Sequence, residues 1–76
     1  MPSADDKTVG RMLVACLPAL RAFVRRRVDD ADTASDVLQE VSVRALSGEG
    51  PQDADTFLMW SRGIARHVIG MEWRRR

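Results

Sequence analysis

Three observations predict an all-α fold, a small three-helix bundle. Apolar residues recur at steps of three and four in three separate stretches. No stretch alternates apolar and polar residues long enough for a strand, and no Asn-Gly or Asp-Gly hairpin turn occurs. With 76 residues the chain makes one domain, and at 45% hydrophobic and 30% charged it is too apolar to stay disordered.

The first helix is expected over residues 7–28, after a loose start at 1–6. Its stripe is Val9, Met12, Leu13, Cys16, Leu17, Leu20, Phe23, Val24 and Val28. Pro18 sits inside that pattern and lacks an N–H, so it should kink or divide the helix. Asp29, Asp30 and Asp32 break the period. The second helix is expected over 33–46, with Thr33 as N-cap, Asp36 at the capping-box distance, and a stripe of Ala34, Val37, Leu38, Val41 and Ala45. Residues 47–55, with two glycines and a proline, form the clear loop. Asp55 or Thr56 should cap a third helix over 56–74, whose stripe is Phe57, Trp60, Ile64, Val68 and Met71. Trp60 reads as core, and Met12, Met59 and Met71 read as packing residues. Gly63 and Gly70 each cost that helix about 1 kcal/mol against alanine.

Composition excludes several classes. One cysteine, Cys16, on an apolar stripe, permits no internal disulfide and points to a reducing, cytoplasmic setting. One cysteine and one histidine make no metal site, and no other cofactor motif occurs. The longest apolar run, residues 12–20, falls well short of the roughly 20 residues of a membrane span. Nothing resembles a nucleophile elbow or a Ser–His–Asp arrangement, so no enzyme is expected.

The net charge of +1 hides an alternation: −1 over residues 1–10, +5 over 11–27, −7 over 28–55 and +4 over 56–76. Arg62, Arg66, Gly70 and Arg74 step by four along the third helix, with His67, Met71 and Trp73 beside them and Arg75 following. Cations beside flat apolar groups suit a nucleic-acid strand. A solvated face with cations near a helix C-terminus fits the same residues. Asp36, Gln39 and Glu40 form a compact acidic, hydrogen-bonding patch suited to a protein partner, or an ordinary polar face. The run Arg25-Arg26-Arg27 before Asp29-Asp30 reads as dipole complementarity with local ion pairs.

The segment Ala34-Ser35-Asp36-Val37-Leu38-Gln39-Glu40-Val41 resembles the "A-E-D-L-V-Q-E" stretch of bacterial sigma factors. Residues 57–67, Phe-Leu-Met-Trp-Ser-Arg-Gly-Ile-Ala-Arg-His, resemble "F-R-A-W-L-x-x-I-A-R-N", again followed by arginines. The order and spacing are similar to region 2 of the extracytoplasmic-function (ECF) group of the sigma-70 family, from about Leu17 to the end of the chain. The resemblance implies one region 2 domain over residues 1–76, with region 4 absent from this chain. It implies that Asp36, Gln39 and Glu40, with Arg44 beside them, dock on the clamp helices of the largest subunit of core RNA polymerase. It also implies that the third helix and the loop at 47–56 recognise and melt the −10 promoter element. They would hold its non-template strand single-stranded, with His67 and Met71 facing bases and Arg62, Arg66, Arg74 and Arg75 serving phosphates. An anti-sigma factor is a further implied partner; a cofactor and a membrane are not.

The sequence departs from the family at four places: His67 where Asn is usual, Met71 where Asp or Asn is frequent, Ser42 where a large apolar residue is common, and Ser61 where Leu is common. The loop also lacks its usual aromatic. The alternative reading is a helical interaction module that receives a partner helix and binds no DNA. It differs in making the arginines of the third helix dispensable.

Overall fold

The computed structural model describes residues 2–48, 50–51 and 53–75, with side chains from residue 8 onward. Three helices, α1 (Pro2–Arg25), α2 (Ala31–Ser47) and α3 (Ala54–Arg75), each pack on the other two. No strand occurs among the described residues. The all-α three-helix bundle expected from periodicity is the fold observed.

α1 starts at Pro2, earlier than residue 7; proline's fixed φ and missing N–H suit a first helical position. The helix also runs through Pro18 without dividing. Pro18 is exposed, so water can reach the Val14 carbonyl that its missing N–H leaves without a helical donor. The helix ends at Arg25, not 28. Arg27 N–H donates to the Val24 carbonyl at 3.0 Å in a tightened last turn, and the Arg27 guanidinium donates to the Phe23 carbonyl at 3.2 Å. Val28 lies beyond the helix and is still buried.

The caps differ from those expected, and they share one design. Asp30, not Thr33, caps α2: its Oδ2 accepts from Thr33 N–H at 2.8 Å and from the Thr33 hydroxyl at 2.7 Å. Asp53, not Asp55 or Thr56, does the same at α3, where its Oδ2 accepts from Thr56 N–H at 3.1 Å and from the Thr56 hydroxyl at 3.0 Å. Both caps are the tetrapeptide Asp-Ala-Asp-Thr, at 30–33 and 53–56. The carboxylate reaches the N–H of the third helical residue, and that residue is the threonine.

The bond from Thr56 N–H, with the Thr56 hydroxyl adding to it, holds the Asp53 carboxyl below its ordinary value of 3.8. A depressed carboxyl stabilises the fold at pH above its unfolded value and loses that contribution as pH falls through its folded value. Thermal melts from pH 6 downward should therefore show a loss that begins near 3.8 and grows below it. Asp53→Asn, which caps without titrating, should remove that part of the profile. An unchanged profile would mean that Asp53 contributes nothing to acid lability.

The core is one cluster. α1 gives Met12, Leu13, Cys16, Leu20 and Val24; α2 gives Ala34, Val37, Val41 and Ala45; α3 gives Phe57, Ala65, Val68 and Ile69. Cys16 is a buried free thiol, and desolvation pushes its pKa up, which keeps it protonated and unreactive. The stripes of α1 and α2 are the expected ones. That of α3 is rotated. Ser61 and Ala65 are fully buried, whereas Trp60, Ile64 and Met71 lie half-buried along the edge facing α2. The small side chains let the helix axis approach its neighbours, so the large ones flank the contact. Met59, expected to pack, is 71% exposed.

Candidate nucleic-acid and protein interfaces

The acidic patch is built by helical spacing. Positions 36, 39 and 40 lie on the side of α2 away from its buried stripe, with 44 at the flank toward α3, and Asp36, Gln39, Glu40 and Arg44 are all exposed. Arg44 Nε donates to Glu40 Oε2 at 2.8 Å, an exposed i,i+4 pair worth about 0.3–0.5 kcal/mol. That pair fixes the Glu40 head and leaves Asp36 and Gln39 pointing outward. Ser42, the departure on α2, donates its hydroxyl to the Leu38 carbonyl at 2.8 Å, so its polar atom is satisfied within the helix.

The residues assigned to nucleic acid do not form one surface. They lie on two sides of α3, one toward α1 and one toward α2. Arg62 and Arg66 turn toward α1, where their Cζ atoms stand 5.8 and 5.6 Å from the Phe23 ring centre. Arg66 also lines a cleft of about 360 Å³ with Arg27, Ile69, Gly70 and Trp73. His67, exposed, lies on the α2 side, in a cleft of about 480 Å³ with Arg44, Met59, Trp60, Gly63 and Ile64. Met71 and Arg75 line a third cleft, of about 500 Å³, together with Asp36, Gln39, Glu40 and Glu72. Those two residues thus sit beside the acidic patch and not beside Arg62 and Arg66. Arg75 donates to Glu72 at 3.3 Å, and Arg74 is exposed.

Trp60 supplies a feature that periodicity concealed. A Cβ built on Gly50 would stand 2.5 Å from Trp60 Cζ3, and one on Gly48 would stand 3.0 Å from Cη2. The backbone at Gly48 and Gly50 therefore lies against the indole, and at Gly50 a side chain would collide with the ring. Behind it, the Phe57 ring packs at 5.6 Å between centres and 50° between planes. Trp60 is thus a half-buried floor that carries the loop and borders the His67 cleft.

As a class, this is an all-α three-helix domain that carries an anionic–amide face on one helix and clefts lined by arginine or histidine around another. The family model for Sigma-70 region 2 matches residues 12–76, and the chain belongs to that family. No curated protein and no solved structure matches it. Sigma factors act in transcription initiation, and their region 2 serves promoter recognition and binding to RNA polymerase. No described helix is long and apolar enough to cross a membrane.

Proposed function

We propose that the chain is the region 2 domain of an ECF-type sigma factor, acting in the cytoplasm on core RNA polymerase and the −10 element. Asp36, Gln39, Glu40 and Arg44 dock on the clamp helices of the largest subunit. α3 and the loop before it hold the non-template strand single-stranded. An extruded base enters the cleft floored by Trp60 and bordered by His67, while Arg62, Arg66, Arg74 and Arg75 serve phosphates and Met71 faces a neighbouring base. Extrusion costs a few kcal/mol of unstacking, and a protein cleft offsets it by receiving the base. The step is a binding equilibrium and requires no catalytic group. An anti-sigma factor holds the same domain when transcription is off.

One observation carries this reading. The exposed acid–amide face of α2 and the arginines Arg62 and Arg66 of α3 occupy different sides of the bundle, so two partners of opposite character can bind together. The test separates the two faces. Gln39→Ala should weaken capture by immobilised core polymerase by about tenfold and leave anisotropy with a −10-like single strand unchanged. Arg66→Ala should do the reverse. If both properties fell together in a folded variant, the division of labour would be wrong.

A further inference from the structure

Resting on the strand-binding half of that reading, we propose a nucleotide subsite between the end of α1 and α3. In it Arg27, with Arg62 and Arg66, binds a backbone phosphate of single-stranded nucleic acid, and the adjoining base lies on Trp73 over Gly70.

Three guanidinium groups, one just past the end of α1 and two on α3, stand round one ring. Arg27 Cζ stands 3.8 Å from the Phe23 centre, with Arg62 at 5.8 Å and Arg66 at 5.6 Å. One arginine covers a ring face. Three like charges round a single ring repel one another, and an arriving anion relieves that repulsion. Among the described residues, the acid–arginine ion pairs are Glu40 with Arg44 and Glu72 with Arg75. Arg62 Nε is buried with no hydrogen-bond acceptor among the described residues. Arg27 donates to the Phe23 carbonyl, which anchors it at the helix end with its charge turned toward α3.

The neighbouring cleft chooses among anions. It is lined by Arg27, Arg66, Ile69, Gly70 and Trp73, and its volume of about 360 Å³ lies in the range of small-ligand sites. Trp73 is 55% exposed, and a Cβ on Gly70 would meet nothing within 4 Å, so solvent reaches the cleft beside both. A carboxylate peptide needs the cations and has no use for an indole. A nucleotide uses both, phosphate on guanidinium and base on the ring, and such stacking tolerates any base. The subsite therefore contributes affinity and register without selecting sequence.

The test is fluorescence anisotropy of the full chain with a labelled oligothymidylate over a salt series. Arg27→Gln should weaken binding about five- to tenfold and flatten the salt slope by about 0.7, one phosphate's share on a single strand. Gly70→Leu changes no charge and improves helix propensity, so it should fold at least as well. Filling the cleft, it should weaken oligothymidylate binding about tenfold and hardly affect an abasic strand of equal charge. Gly10→Leu, equally open and on the early part of α1, should change nothing. If Arg66→Ala weakens binding while Arg27→Gln and Gly70→Leu do not, the subsite is refuted and the proposed function stands. If the wild type is captured by polymerase and binds no strand at all, both the subsite and the strand-binding half fail. Displacement by polyglutamate of equal charge as readily as by oligothymidylate would overturn the nucleotide and make the cleft a site for an acidic protein segment.

Discussion

Phe57→Ala is expected to leave the domain largely unfolded at 37 °C. Phe57 is the largest fully buried side chain, and it stands one turn inside α3, where its N–H donates to the Asp53 carbonyl at 2.8 Å. Its ring supports Trp60, and Trp60 supports the loop at Gly48 and Gly50. Truncating a buried phenylalanine costs about 3–5 kcal/mol, transfer and cavity together. A chain of this length has about 4–11 kcal/mol in total. The substitution therefore removes much or all of the margin, and it also takes away the ring that backs Trp60, the floor of the His67 cleft. Urea titration followed by circular dichroism should show the midpoint falling in that proportion with little change in slope. Phe57→Leu, which fills most of the space, should cost less than about 1.5 kcal/mol. A Phe57→Ala midpoint close to wild type would mean that the ring is not a core element and that the loop rests on something else.

How much of this was legible follows from the kind of signal each feature leaves. α1 and α2 present large apolar residues toward the core, so a period of 3.6 finds their faces. α3 does not. Its innermost positions include Ser61 and Ala65, and a reading that ranks side chains by size and apolarity passes to Trp60, Ile64 and Met71, which lie one position round the helix. The caps were missed for a similar reason. Thr33 and Thr56 stand nearest the apolar runs, yet the aspartates three residues earlier reach the free N–H groups, and the repeated Asp-Ala-Asp-Thr was the available clue. The acidic patch was legible because its members share one helix, where spacing fixes direction. The meeting of Arg27 with Arg62 and Arg66 was not, because it depends on how α1 and α3 pack, and local spacing carries nothing about that. The separation of Met71 and Arg75 from Arg62 and Arg66, by contrast, follows from spacing along α3 alone.

Ser61→Ala is expected to stabilise the protein by about 1–3 kcal/mol, the desolvation cost of a buried hydroxyl left without a partner. Ser61 is fully buried, and its Oγ has no hydrogen-bond partner among the described residues. Alanine keeps the Cβ that lets α3 approach its neighbours, removes one polar atom, and suits a helix better than serine does. For a domain of this size each kcal/mol raises the melting temperature by about 4–8 °C, so the shift is well within reach of calorimetry. Leucine, common at this position in the family, is the wrong repair here. The side chain would enter a site closed by Phe57, Ala65 and Val68 on the same helix face, and overpacking of that kind costs about 1–3 kcal/mol. Alanine should therefore raise stability while leucine fails to, and neither should change polymerase capture, because position 61 reaches no surface. A fall in stability with Ser61→Ala would show that the hydroxyl is bonded in solution, the Phe57 carbonyl four residues earlier being the acceptor within reach of a rotated side chain.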